Sequence, residues 1–383
     1  MTRPAPVPLL DLGRQYTAIR DEVLAAIERV CSSQHYILGQ EVESFEHELA
    51  TFCEAAHAIG CASGTDAVWL ALLAAGVSPG DEVITTPLSF FASASAVVRA
   101  GARPIFVDVD PHTLNLNPEQ VEKYLRSRRS THLRALLPVH LYGQCAGMDA
   151  FQRLADEFQL ALVEDAAQAI GASWNGRRAG SMGVTAAFSF YPSKNLSAYG
   201  DAGIVTTNNS DFAERMRRLR NHGSPKRYLH EELGWNSRLD PIQAAVLRVK
   251  LPYVEKWNRR RREHAANYDR LLTQSGLTSA SGDGPVRMLA SAPQAHHVFH
   301  QYVIRVQRRD DLRQFLAERK IGTEVYYPIP LHRQPVFAYL GYSEGDLPEA
   351  EKAAHEVLAL PMFPELNAEE QQWVVESVAE FYS

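Results

Sequence analysis

Ala58-Ile59-Gly60-Cys61-Ala62-Ser63-Gly64-Thr65-Asp66-Ala67 reads as a short apolar strand that runs through small residues into the start of an apolar helix. That junction suits a phosphate group. Gly64 permits close backbone approach, the first amides of a helix attract anions, and Thr65 adds a hydroxyl donor. Ser63 is equally an ordinary N-cap residue. Working outward, the same alternation of short strand and helical pattern recurs as far as Asn208. Strands are expected at 58–62, 82–86, 104–109, 135–140, 161–164, 186–190 and 203–207, which favours an open α/β sheet over a bundle or a sandwich.

Ligands of such sheets bind at the carboxyl ends of strands, and the chemistry-bearing residues gather there. Val163-Glu164-Asp165-Ala166-Ala167-Gln168 ends one strand on Asp165, with Gln168 three positions later. Phe188-Ser189-Phe190-Tyr191-Pro192-Ser193-Lys194-Asn195 carries Ser189 and Lys194 beyond another. A lysine so placed, with a carboxylate closing an earlier strand, is the pairing expected of a Schiff-base lysine and the partner of a pyridinium nitrogen, and it points to pyridoxal phosphate. A close opposite charge shifts a pKa by about 1 to 3 units, enough to hold such a ring protonated. Phe90 and Phe91 follow Thr85-Thr86-Pro87-Leu88-Ser89 near the same face. A ring there suits stacking on a planar cofactor, although adjacent aromatics are commonly core residues.

The bulk properties narrow the alternatives. A chain of 383 residues, 45% hydrophobic, can bury a large core in two domains. Its formal net charge of -6 gives no electrostatic reason to expect nucleic acid or an anionic membrane as partner. Cys31, Cys53, Cys61 and Cys145 lack paired spacing and read as ordinary thiols of a reducing cytoplasm. The amino terminus lacks a signal-peptide core, and no apolar run reaches membrane length. No GxGxxG follows the first strand, and neither GxxxxGK[ST] nor HExxH occurs, which weakens dinucleotide, nucleoside-triphosphate and zinc-protease readings.

Amphipathic helices are expected at 14–31 and 41–53. A long helix is expected at 241–272, with Arg259 to Arg262 on a solvated face. A loop at 275–284, a strand at 302–306 and a helix at 311–320 complete a smaller carboxyl-terminal α+β domain. The expected division is 1–250 for the amino-terminal segment and large domain, and 251–383 for the small one. His296, His297 and His300 read as a surface cluster rather than a metal site.

Together these motifs resemble the DegT/DnrJ/EryC1/StrS family of pyridoxal-phosphate-dependent sugar aminotransferases. The resemblance runs from Val7-Pro8-Leu9-Leu10-Asp11-Leu12 through Tyr36-Ile37-Leu38-Gly39, Ser63-Gly64-Thr65-Asp66-Ala67, Glu164-Asp165-Ala166-Ala167-Gln168 and Ser189-Phe190-Tyr191-Pro192-Ser193-Lys194 to Asn236-Ser237-Arg238-Leu239-Asp240 and Tyr327-Pro328-Ile329-Pro330-Leu331-His332. It implies fold type I, with a mixed, mostly parallel sheet in the large domain. Lys194 is then the imine-forming base, Asp165 the partner of the pyridine nitrogen, and Gln168 a neighbour of the phenolic oxygen. Gly64, Thr65 and Ser189 bind phosphate, Phe90 stacks on the ring, and Tyr327 and His332 border the sugar. The resemblance also implies that Asn236 reaches the cofactor of a second subunit, which makes the protein a homodimer with shared sites.

The implied reaction moves an amino group from L-glutamate, by way of pyridoxamine phosphate, to a nucleotide-linked keto-hexose. Glutamine at position 168 is frequent in relatives acting at sugar C3, so a 3-keto dTDP- or UDP-sugar is the expected acceptor. A C4 sugar, a cyclitol of the scyllo-inosose type and a non-catalytic regulatory role are the alternatives. Deoxygenating relatives replace the imine lysine with histidine, and Lys194 argues against that chemistry.

Overall fold

The computed structural model describes residues 6–128, 130–278 and 284–383. The strands in chain order are β1 (His57–Cys61), β2 (Glu82–Thr85), β3 (Arg103–Phe106), β4 (Leu133–Leu137), β5 (Ala161–Asp165), β6 (Ser173–Trp174), β7 (Arg177–Arg178), β8 (Thr185–Ser189), β9 (Gly203–Thr207), β10 (Val286–Met288), β11 (Ala295–His296), β12 (Tyr302–Val306) and β13 (Val357–Leu360). Seven of them form one sheet in the order β1-β9-β8-β5-β4-β2-β3. The pairs β3-β2, β2-β4, β4-β5 and β5-β8 are parallel, and β9 alone runs against its neighbours β8 and β1. The mixed, mostly parallel sheet expected from the sequence is therefore present.

Both faces of this sheet are buried, because successive strand residues point to opposite sides. Ile84, Leu136, Leu162, Phe188 and Ile204 pack with Phe45 and Leu49 of α2 (Gln40–Phe52) on one face. Val83, Leu137, Val163, Ala187 and Val205 pack on the other with Trp69, Leu70 and Leu72 of α3 (Gly64–Ala74) and Val97 of α4 (Ala92–Arg99). Helix α1 (Leu12–Ser33) starts where Asp11 accepts the Gly13 amide at 3.0 Å, and Gln34 in the left-handed region ends it.

A three-stranded antiparallel sheet, β10-β12-β13, forms the second core with Leu312, Leu316, Val374 and Val378. Val7 also lies in that core and bridges to Ile321, so the amino-terminal segment packs against the carboxyl-terminal sheet. Two expectations are corrected here. The helix expected at 241–272 is broken: Pro241–Lys250 and Val254–Gln274 are separate helices joined by a tight turn at Leu251–Tyr253, where Pro252 has no amide to donate. Within the arginine run, Arg261 is buried and donates to the carbonyls of Phe299, His300 and Met362 at 3.0–3.2 Å, while Arg259 and Arg260 remain exposed. Positions 279–283 of the loop expected at 275–284 lie outside the described residues.

Candidate active site

The carboxyl ends of β1, β5 and β8 meet along one edge of the sheet, and the turn after β2 brings Phe90 near them. Ser63 caps α3 by accepting the Asp66 amide at 3.1 Å. That leaves the amides of Gly64 and Thr65 at the positive end of the helix, with no carbonyl one turn earlier to take them. Gly64 is packed tightly against the end of β8. A Cβ on residue 64 would lie 2.4 Å from Ser189 Cβ and 2.6 Å from Ser189 Oγ, so only glycine lets the serine hydroxyl approach the helix end. The N-cap and phosphate-loop readings of this stretch are thus compatible.

Asp165, nearly fully buried, ends β5. Its Oδ2 accepts from Ser93 Oγ at 2.7 Å and its Oδ1 from the Ala167 amide at 3.2 Å. Ser93 is in turn 2.8 Å from Ser89 Oγ. The carboxylate is thus aimed by α4, which no sequence pattern announces. The preceding residue, Glu164, points to the other face of the strand. It accepts from the Gly180, Met182 and Gly183 amides and from His140 Nε2, all within 2.7–3.0 Å. Burial alone would raise this carboxyl, but these donors hold it below the usual carboxylate range.

Lys194 is half-buried in the turn after β8. Burial pushes its amine down to about 8, and the charge of Asp165 opposes that shift, which places the two groups in each other's field. Gln168 is engaged at both ends: Oε1 accepts the Tyr142 amide at 2.6 Å, and Nε2 donates to Tyr327 Oη at 3.2 Å. Burial and the nearby Asp165 carboxylate push the Tyr327 phenol upward, so it stays a neutral donor. Phe90 is 58% exposed, with its ring centroid 6.4 Å from that of Tyr327. Phe91 is exposed as well, so neither ring is the core residue that adjacency suggests.

Lys194, Asp165, Gln168, Tyr327 and Phe90 are therefore linked as neighbours, and the Gly64–Ser189 cradle stands at the end of the same strand β8 that leads to Lys194. A half-buried amine opposite an anchored carboxylate, beside an exposed ring and a helix end trimmed to glycine, fits the pyridoxal phosphate implied by the sequence. Two expected residues stand apart. The His332 side chain is buried, with Nε2 2.9 Å from Glu351 Oε1. Asn236 is exposed, and the neighbouring Ser237 Oγ lies 3.5 Å from the Ala62 amide.

The histidine cluster is a further correction. His296 is exposed, but His300 is buried, bonds Asn195 at 3.2 Å and lies in the field of Lys194. No group of metal-ligating side chains occurs among the described residues, and no helix among them is long and apolar enough to cross a membrane.

The chain is similar to known proteins over nearly its whole length. The chain is 52% identical over 380 residues to a pleiotropic regulatory protein of Geobacillus stearothermophilus, covering 98% of each. It is 47% identical over 375 residues to a dTDP-3-amino-3,4,6-trideoxy-alpha-D-glucose transaminase of Streptomyces venezuelae, covering 98% of this chain and 96% of that one. The crystal structure of S. venezuelae DesV in complex with a ketimine intermediate matches with a TM-score of 0.93 and 46% identity, over 99% of both chains. The model of the DegT/DnrJ/EryC1/StrS aminotransferase family matches residues 17–379, and the chain belongs to that family.

Proposed function

We propose that this aminotransferase carries an amino group from L-glutamate to the 3-keto carbon of a nucleotide-linked hexose, using pyridoxal phosphate in sites shared by two copies of the chain. The observation that carries the reading is the half-buried Lys194 amine, depressed to about 8, in the field of an Asp165 carboxylate that Ser93 anchors. The Streptomyces relative named for a 3-amino dTDP-sugar supports the position and the nucleotide class.

Pyridoxal phosphate supplies an aldehyde carbon and an electron-accepting ring when bound. Gly64 and Thr65 would hold its phosphate through their amides, with the Ser189 hydroxyl beside them. Asp165 would keep a proton on the ring nitrogen through a charge-assisted hydrogen bond. Phe90 would offer its exposed ring for stacking, and the second amide hydrogen of Gln168 would serve the ring oxygen. Lys194 Nζ, lowered by burial, would serve as general base at the amino-bearing carbon of glutamate and as the matching acid at the keto carbon of the sugar. Tyr327 and the segment that ends at His332 bound the sugar side. Asn236, exposed and close to the apolar Leu233, reaches across to the second copy.

The test is spectroscopic and chemical. Purified holoenzyme should have a visible absorbance band that glutamate bleaches, and Lys194→Ala should lose both the band and turnover. A panel of 3-keto and 4-keto dTDP- and UDP-sugars, with scyllo-inosose beside them, should yield an aminated product from a 3-keto nucleotide sugar. Amination at C4, or of the cyclitol alone, overturns the acceptor assignment. Cofactor binding without turnover of any keto compound would favour the regulatory role that the Geobacillus relative's name suggests.

A further inference from the structure

Directly behind Lys194 lies a buried polar network in which every hydrogen can be placed. Asn195 Nδ2 donates to Asn258 Oδ1 at 2.8 Å and to the Val298 carbonyl at 3.2 Å. Asn258 Nδ2 donates to the Ile170 carbonyl at 2.9 Å. These bonds fix the amide orientation of Asn195 and leave its Oδ1 as an acceptor. The atom facing Oδ1, at 3.2 Å, is His300 Nδ1, which must therefore carry the proton. Burial keeps the ring neutral, so with Nδ1 protonated Nε2 carries no proton.

The surroundings enforce that state. Burial, helped by the fields of Lys194 and Arg261, pushes the His300 imidazole well below the ordinary range. Arg261 also donates to the His300 carbonyl at 3.2 Å, which anchors the backbone. The ring lines a small cavity with Ser193, Gln301, Tyr326 and Met362, immediately beside the lysine's segment.

We infer that His300 is a positioning residue for Lys194: its Nδ1–H holds Asn195, and through Asn195 it fixes the turn that presents the lysine. The inference rests on the reading of Lys194 as the reacting amine. It does not require His300 to touch substrate or cofactor. Its function is to supply a hydrogen bond at one position on the ring without adding a positive charge beside Lys194.

Side-chain geometry provides the test. Asparagine places an amide donor where the histidine Nδ1 lies, glutamine places one near the Nε2 position, and leucine offers none. His300→Leu should lower kcat about tenfold, the size expected for losing one buried hydrogen bond, with little change in KM for glutamate. His300→Asn should restore most of that loss, and His300→Gln should not. In cofactor-free protein, the pH midpoint for acetylation of Lys194, read by peptide mass, should shift in His300→Leu and return in His300→Asn.

Equal kcat losses in the Asn and Gln variants, or a lowered melting temperature with unchanged kcat and acetylation midpoint, would overturn the inference. If His300→Leu does not fold, the Asn and Gln pair decides the matter alone. Failure of the proposed function would appear separately, as wild-type protein that glutamate does not bleach, while the acetylation measurement still reports on the network.

Discussion

Ser93 Oγ donates to Asp165 Oδ2 at 2.7 Å, so a neutral hydroxyl near the start of α4 sets the direction of the central carboxylate. Removing the donor leaves a buried carboxylate with one fewer partner. Hydrogen bonds to charged groups are worth about 1.5–3 kcal/mol, and Ser93→Ala is expected to weaken pyridoxal-phosphate binding by roughly tenfold or more. Equilibrium titration followed by absorbance measures this, and unchanged affinity would remove Ser93 from the site.

Gly64 and Ser189 predict a coupled pair. Gly64→Ala should push the helix end from Ser189 and reduce cofactor affinity sharply, because the added carbon would sit 2.4 Å from Ser189 Cβ. Ser189→Gly should lose the hydroxyl contact. The double variant should bind better than the sum of the two single losses predicts, a coupling of about 1 kcal/mol or more in a double-mutant cycle. Strict additivity would contradict the close approach.

Lys194 predicts a pH-dependent stability. Its folded pKa of about 8 lies below the ordinary 10.5, so the unfolded chain binds more protons between those values. Stability therefore rises with pH across that window, and the cost of the buried charge is full below about pH 8 and absent above 10.5. In cofactor-free protein, Lys194→Met should raise stability by roughly 2–3 kcal/mol at neutral pH. The gain should vanish at strongly alkaline pH. Urea unfolding at two pH values checks the sign.

The proposed sharing of sites between two copies predicts subunit complementation. Lys194→Ala and Asn236→Ala homodimers should each be inactive or nearly so. In a mixed dimer one site receives both defects and the other receives intact Lys194 and intact Asn236. Random reassortment of equal amounts should therefore restore about a quarter of wild-type activity. No recovery, with mixed dimers verified by mass, would place Asn236 in its own subunit's site. The exposed Tyr228 and Leu233, at 83% and 87%, lie in the segment leading to Asn236 and suit burial against the second copy.

The large sheet was legible because its strands are buried on both faces and appear as unbroken apolar runs, and only their ends moved. Gly203–Thr207 matches throughout, whereas 135–140 becomes Leu133–Leu137, with Val139 beyond Pro138 keeping only an isolated parallel bridge to Asp165. Lys194, Asp165 and the Gly64 turn were legible because they lie at or just beyond the ends of strands. Ser93, Tyr142 and His300 were not, because their partners lie 72, 26 and 105 residues away in sequence and only packing brings them together. Arg261 misled for a related reason: one residue in a basic run turns inward to collect carbonyls, and composition does not reveal which one.

Gln168 holds the Tyr142 backbone with one end and the Tyr327 hydroxyl with the other. The residue from which the sequence reading expected amination at C3 is thus a strut between the Tyr142 backbone and the Tyr327 side chain. Exchanging it for histidine would do more than alter a contact to the cofactor ring, because it would free Tyr327 to settle elsewhere on the sugar side. An attempt to redirect this enzyme from one sugar carbon to another should therefore treat positions 168 and 327 as one unit of selection, and change them together.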